Sequence, residues 1–239
     1  MEISDMVERN KRNEFFTAML TGAMAGWAMP EQEREARDLI IRMWQMADMA
    51  CYHDLQPEYP RDVAERWIRR NYRIIDTETT GLGADAQIVE VAIVDLKGEV
   101  LLSTLVKPTI AIPEEATAIH GITNEMVADA PAWNDVLPTV LELLGKYWIT
   151  YNAEFDLRMI EQSSTLPLPQ MSPFCAMRLY AEFNGEWDAL RRKYKWKKLT
   201  EAATALDAWP KENTGVPHRA LYDCRLTRNI ILAMAGVAL

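Results

Sequence analysis

One stretch, YRIIDTETTGL from Tyr72 to Leu82, constrains this chain more than any other. Tyr72, Ile74 and Ile75 favour β structure and run directly into Asp76, and Gly81 closes the run, so the segment reads as a strand ending in a tight turn. Side chains alternate along a strand, so Asp76 and Glu78 project from one face at its end, close enough to share a cation. Alone, such a pair is most often a solvated turn. Its meaning depends on partners further along.

The 239 residues, 49% hydrophobic and 26% charged, suit one large globular domain with an appendage. Thirty-five acidic residues against 26 Lys and Arg leave a net charge of −9, which excludes a protein that grips nucleic acid by bulk positive charge. Nucleic acid stays open as a substrate, because clustered carboxylates that bind divalent cations carry their neutralising charge in the metal. Cys51, Cys175 and Cys224 are scattered and show no CxxC spacing, which suits free thiols in a reducing cytoplasm. The apolar run at 15–29 is too short to span a bilayer, and Glu2, Asp5 and Glu8 interrupt any leader pattern, so no membrane role is expected.

Residues 1–70 read as a small helical region, with apolar spacing of three and four over Ser4–Ala28, Glu31–Tyr52 and Arg61–Arg70. Its many Met and Trp residues, among them Met43, Met46, Trp44 and Trp67, read as the seam of a helical hairpin. A Met-rich face also suits a protein partner or self-association. From residue 71 to 239 the pattern is that of an α/β domain. Strands at 72–77, 88–95 and 100–106 form an antiparallel meander around the Lys97–Gly98 turn. Ile112–Glu114 reads as a loop, followed by a short helix capped by Thr123 and running to Val127. Next come a helix at Asn134–Lys146 with Pro138 in its first turn, a strand at Tyr147–Tyr151 and a helix at Ala153–Gln162. Pro167, Pro169 and Pro173 mark an extended loop, and helices follow near 175–184, 199–207 and 218–236.

Asp156 opens a helix directly after a strand, where the helix dipole favours a carboxylate and the strand's end aims it at the sheet's edge. His218 and Asp223 are five residues apart, about 140° around a regular helix. His218 therefore belongs to the turn after Pro217 and Asp223 to the helix, which leaves a mobile imidazole beside a fixed carboxylate.

Four motifs in order, DTETTG at 76–81, IHGIT at 119–123, YNAEFD at 151–156 and H-x4-D at 218–223, resemble those of the DnaQ-like 3′–5′ exonucleases, the histidine-containing (DEDDh) branch of the DEDD superfamily. The resemblance covers about residues 72–236 and says nothing of residues 1–70. It implies a ribonuclease H-like mixed sheet flanked by helices. Asp76, Glu78, Asp156 and Asp223 would hold two divalent metal ions, Mg²⁺ or Mn²⁺, with His218 as general base. Thr79 and Leu82 would meet the terminal nucleotide, and Ile119, His120, Asn152 and Phe155 would line the same pocket. His120 also reads as a core histidine bonded to backbone.

The chemistry agrees with that implication. Carboxylates about 4 Å apart repel by about 4 kcal/mol at an effective dielectric of 20, so a cluster of four persists only around positive charge. Hard oxygen ligands select Mg²⁺ or Mn²⁺ over zinc. An imidazole of pKa about 6.5 can take a proton at neutral pH and return it. A second surface is RRKYKWKK at 191–198, preceded by Trp187, where cations and rings alternate as on a single-strand binding face; a solvated linker is its plainer reading. The expectation is an enzyme that releases 5′-mononucleotides from the 3′ end of nucleic acid, preferably single-stranded DNA. The alternatives are the same chemistry on RNA, and a non-catalytic module that binds strand ends or partner proteins.

Overall fold

The structure, a computed structural model, describes residues 59–210 and 215–238. The helices expected at 4–28 and 31–52 lie outside the described residues. The third expected helix is α1, Pro60–Arg70. It starts on Pro60, whose missing N–H costs nothing at a helix's first position, and stops at Asn71, which adopts a left-handed φ of 47°. Although the sequence groups this helix with residues 1–70, its Trp67 is buried in the core of the sheet domain and stacks on Phe174 at 5.4 Å.

A mixed five-stranded sheet runs in the order β3-β2-β1-β4-β5. β1 (Arg73–Thr79), β2 (Ile88–Asp95) and β3 (Val100–Leu105) form the expected antiparallel meander, with Asp76 opposite Ala92 and Glu78 opposite Glu90. β4 (Ile149–Thr150) adds parallel to β1, and β5 (Phe174–Cys175) parallel to β4. Every residue of β2 is buried, as happens when helices cover both faces of a sheet.

Neighbouring residues of β1 feed opposite cores. Ile74 packs with Ala92, Val94, Leu226 and Ile230 under α7 (Ala220–Met234). Ile75 packs with Val91, Ile93, Leu137 and Ile160 under α3 (Trp133–Leu144) and α4 (Ala153–Ser163). This alternation fixes which face Asp76 and Glu78 leave by, since a slip of one residue would exchange the two cores.

Several local expectations are corrected. Ile112 and Pro113 are loop as expected, and a helix, α2 (Glu114–His120), follows where no element is expected, with Glu114 and Glu115 at its positive end and left-handed Gly121 stopping it. The segment at 123–127 is turn instead. Pro138 is interior to α3 rather than in its first turn; it lies on the exposed side, where the carbonyl that loses its partner meets water. Within the proline-rich segment, Phe174–Cys175 is a strand. Between α5 (Ala176–Asn184) and α6 (Leu199–Ala205) a two-stranded hairpin, β6 (Trp187–Asp188) and β7 (Lys193–Tyr194), occupies the basic run.

Candidate active site

Asp76 and Glu78 leave β1 on the α7 side, and Asp223 in the first turn of α7 comes down to meet them. One carboxylate oxygen from each lies within 4.8 Å of the other two. Burial is the first cause of their raised pKa values; neighbouring carboxylates add to it at Asp76 and Glu78, while at Asp223 the charge and backbone hydrogen bond of His218 work against it. Asp76 is pushed well above the usual carboxylate range, Glu78 to about 8 and Asp223 to about 6. Asp223 Oδ1 is buried with no hydrogen-bond partner. A bare buried oxygen facing two further carboxylates fits a hard divalent cation.

Asp156 reaches the same region from α4, on the opposite face of the sheet, and is not part of that three-carboxylate group. Its Oδ1 accepts from the Thr77 hydroxyl at 3.0 Å and its Oδ2 from the Thr150 hydroxyl at 2.6 Å. Burial raises its pKa to about 6, against the lowering effect of those two hydroxyls. Its charge in turn raises Asp76, so the two carboxylates share one electrostatic environment.

His218 lies in the bend before α7, exposed, with a left-handed φ of 62°. The next residue explains how an imidazole is held there. Arg219 donates to Glu90 through Nη2 at 2.6 Å and Nε at 3.0 Å, and Glu90 also accepts the Ala220 N–H at 2.9 Å. Glu90, only 5% exposed, thereby ties the start of α7 to β2 directly across from Glu78. Sequence reasoning missed Glu90, although a carboxylate inside the apolar run IVEVAIVD is itself a signal that a buried partner exists. It also missed Thr77 and Thr150, whose role depends on where Asp156 arrives.

The exonuclease family model matches residues 74–231. The chain belongs to the exonuclease family. An uncharacterized exonuclease, CP81 of Escherichia phage 186, is 47% identical over 182 residues, covering 72% of this chain and 92% of that protein. Exodeoxyribonuclease 10 of Escherichia coli K12 is 36% identical over 171 residues, covering 67% of this chain and 66% of its own length. Among solved structures, exonuclease X in complex with 5′ overhanging duplex DNA superposes with a TM-score of 0.54 at 34% identity, over 70% of this chain and 94% of that one. The nuclease domain of 3′hExo, at 22% identity and a TM-score of 0.53 over 69% of this chain and 91% of that one, shares the fold. The ribonuclease H-like mixed sheet flanked by helices is thus the fold of this exonuclease, and the family implies divalent metal ions at its acidic cluster.

The residues expected to line a nucleotide pocket divide by exposure. Leu82 at 75% and Ile119 at 60% are large apolar side chains held in solvent. Asn152 is exposed, and Phe155 is half-buried beneath the Arg158 guanidinium at 5.6 Å. Thr79 is buried, its hydroxyl donating to the Gly81 carbonyl at 2.7 Å. His120 is a buried core histidine with both ring nitrogens in use. Nδ1 accepts the Ile122 N–H at 3.0 Å, so Nε2 carries the proton donated to the Thr79 carbonyl at 3.2 Å. Burial lowers its pKa, which keeps it neutral. In this exonuclease His120 fastens α2 to the end of β1.

Proposed function

We propose that the chain is a metal-dependent 3′–5′ exonuclease that shortens DNA and releases 5′-mononucleotides. The observation that carries the reading is the convergence of Asp76, Glu78 and Asp223, one of whose oxygens is bare, beside an exposed His218 at the start of the Asp223 helix.

In this reading Asp76, Glu78 and Asp223, together with Asp156, hold two divalent ions, Mg²⁺ or Mn²⁺. When bound, such ions supply the positive charge that offsets the carboxylates and polarises the phosphate. His218 takes the proton of the attacking water and returns it to solvent. Arg219 and Glu90 fix the imidazole's backbone. Leu82 and Ile119 press the terminal base, and Thr79, Asn152 and Phe155 bound its pocket. His120 contributes to that pocket by position, since both of its nitrogens are engaged. DNA is favoured over RNA because a 36% identical relative is named an exodeoxyribonuclease. A duplex with a recessed 3′ end is a second reading beside the single strand, favoured by the 5′ overhanging duplex bound to exonuclease X.

Among the described residues no helix is long and apolar enough to cross a membrane. The free thiols of Cys175 and Cys224 support a cytoplasmic setting. A protein partner or self-association through the N-terminal region completes the proposal; an unchanged monomer in light scattering across concentration, with nothing cross-linked to residues 1–58, would count against it.

The deciding experiment gives Mg²⁺ and a strand labelled at its 5′ end to the full chain, with matched RNA and duplex substrates alongside. Stepwise shortening that retains the label and releases 5′-mononucleotides is expected. Immediate appearance of the label on a mononucleotide, or internal cleavage, would overturn the polarity. DNA binding without hydrolysis would favour the non-catalytic module.

A further inference from the structure

Between the β6–β7 hairpin and α5 lies an open groove of about 370 Å³ that shares only Asn152 with the residues assigned to the reaction above. Its walls include Trp187, Tyr194 and Trp196 of the hairpin segment, Arg178 of α5 and Asn152 at the start of α4. Trp187 and Tyr194 meet edge to face at 5.1 Å, yet Trp187 is 53% exposed, Tyr194 40% and Trp196 56%. Three large rings held in water in one groove mark a surface that something covers.

Charge indicates what covers it. Between Glu186 and Lys198 the chain carries six Lys and Arg against two carboxylates, in a protein whose net charge is −9. Asp188 is engaged by Arg191 at 3.0 Å, and Glu186 by Lys195 at 2.8 Å and Lys197 at 2.6 Å. The hairpin's own acids are thus used up, leaving Arg192, Lys193 and Lys198. In the groove walls Arg178 pairs with Glu154 and Lys193 stands against Glu182, so the positive surplus lies along the hairpin at the groove's rim, in Arg192 and Lys198.

The groove reaches the start of the helix that carries Asp156. Asn152 precedes Asp156 by one helical turn, about 6 Å along the axis. The Tyr151 hydroxyl donates to the Lys197 carbonyl at 2.8 Å, which ties the end of the hairpin segment to the residue preceding Asn152.

We propose that this groove binds single-stranded nucleic acid upstream of the 3′ end, with bases stacked on Trp187 and Trp196 and phosphates tracked by Arg192 and Lys198. The proposal rests on the exonuclease reading and adds a second contact region to it. It sets how strongly long strands are held without touching the chemistry.

The test uses the full chain and compares a dT16 strand with the dinucleotide dT2, which offers at most one base beyond the terminal nucleotide. In Trp187→Ala/Trp196→Ala the KM for dT16 and its dissociation constant by fluorescence anisotropy in Ca²⁺ rise at least about five-fold, the weakest effect of losing one stacked base. Hydrolysis of dT2 keeps its wild-type rate, and Trp187→Phe/Trp196→Phe restores most of the dT16 affinity. Arg192→Glu, a surface change that keeps the test open if the ring variants fail to fold, lowers the slope of log affinity against log salt by about 0.7. Unchanged dT16 affinity, an equal loss on dT2, or an unchanged salt slope would each overturn the groove and leave a protein partner as its occupant. Failure of the wild type to hydrolyse either substrate would overturn the exonuclease reading instead, and anisotropy would still decide the groove.

Discussion

Asp156 and Asp223 enter one site from opposite faces of the sheet, and burial lifts both to a pKa of about 6. Their surroundings nevertheless differ. Asp156 spends both oxygens on the hydroxyls of Thr77 and Thr150, whereas Asp223 leaves Oδ1 buried and bare beside Asp76 and Glu78. The first carboxylate has a donor from the fold on each oxygen, which orients it for the ion it is proposed to help hold. The second has its ionised form favoured by the charge of His218 and by a backbone hydrogen bond from it, yet Oδ1 keeps no donor, so an added cation should stabilise the α7 end more than the α4 end.

The largest effect expected is on catalysis. Asp76→Asn or Asp223→Asn lowers oligonucleotide hydrolysis at least about 10³-fold, because several kcal/mol of charge stabilisation go with the lost ligand, and EDTA does the same to the wild type. Rates within ten-fold of wild type would remove the assignment. His218→Ala follows, with a loss of about 10² to 10⁴ in kcat, the usual worth of a general base. A loss confined to KM would make the imidazole a binding group.

Stability separates the two carboxylates more directly. In EDTA, Asp223→Asn melts higher than the wild type, since it removes a buried charge grouped with those of Asp76 and Glu78. Asp156→Ala melts lower, with a stability loss of about 1–3 kcal/mol, because it strands the buried Thr77 and Thr150 hydroxyls. The same sign for both variants would break the comparison. Thr150→Val sharpens it: activity falls about 10- to 100-fold, as for groups that orient a ligand, while Asp223 is untouched.

The smallest effect is the pH dependence of metal-free stability. Glu78, at about 8, holds a proton in the folded state across a range where an unfolded Glu, near 4.5, has lost it. The folded state therefore binds more protons, and this contribution is full below about pH 4.5 and disappears as pH rises through about 8. The melting temperature in EDTA should fall between pH 5 and 8.5, by less in Glu78→Gln. An equal fall in the variant would refute the shift.

What the sequence discloses follows from how local each feature is. The meander and its carboxylates were legible because β alternation is set within a few residues, as in Tyr72–Glu78. The break between His218 and Asp223 was legible because five residues cannot share a helix face, and the bend before α7 is where that break falls. The α2 helix is legible in Pro113, Glu114 and Glu115 at its start and Gly121 at its stop. The hairpin strands are two residues each, too short for periodicity to register, although KYKWKK alternates with a period of two. Contacts such as Glu90 with Arg219, 129 residues apart, and Thr77 with Asp156, 79 apart, exist only once the sheet has formed.

The most direct test is a calorimetric titration of metal-free protein with Mn²⁺ at pH 8, alongside Asp223→Asn. The wild type should take up the ion with release of protons, because raised carboxylates must ionise to bind it, and the variant should lose that uptake. Absence of binding in the wild type, or undiminished binding in Asp223→Asn, would contradict the claim that these carboxylates converge to hold a cation.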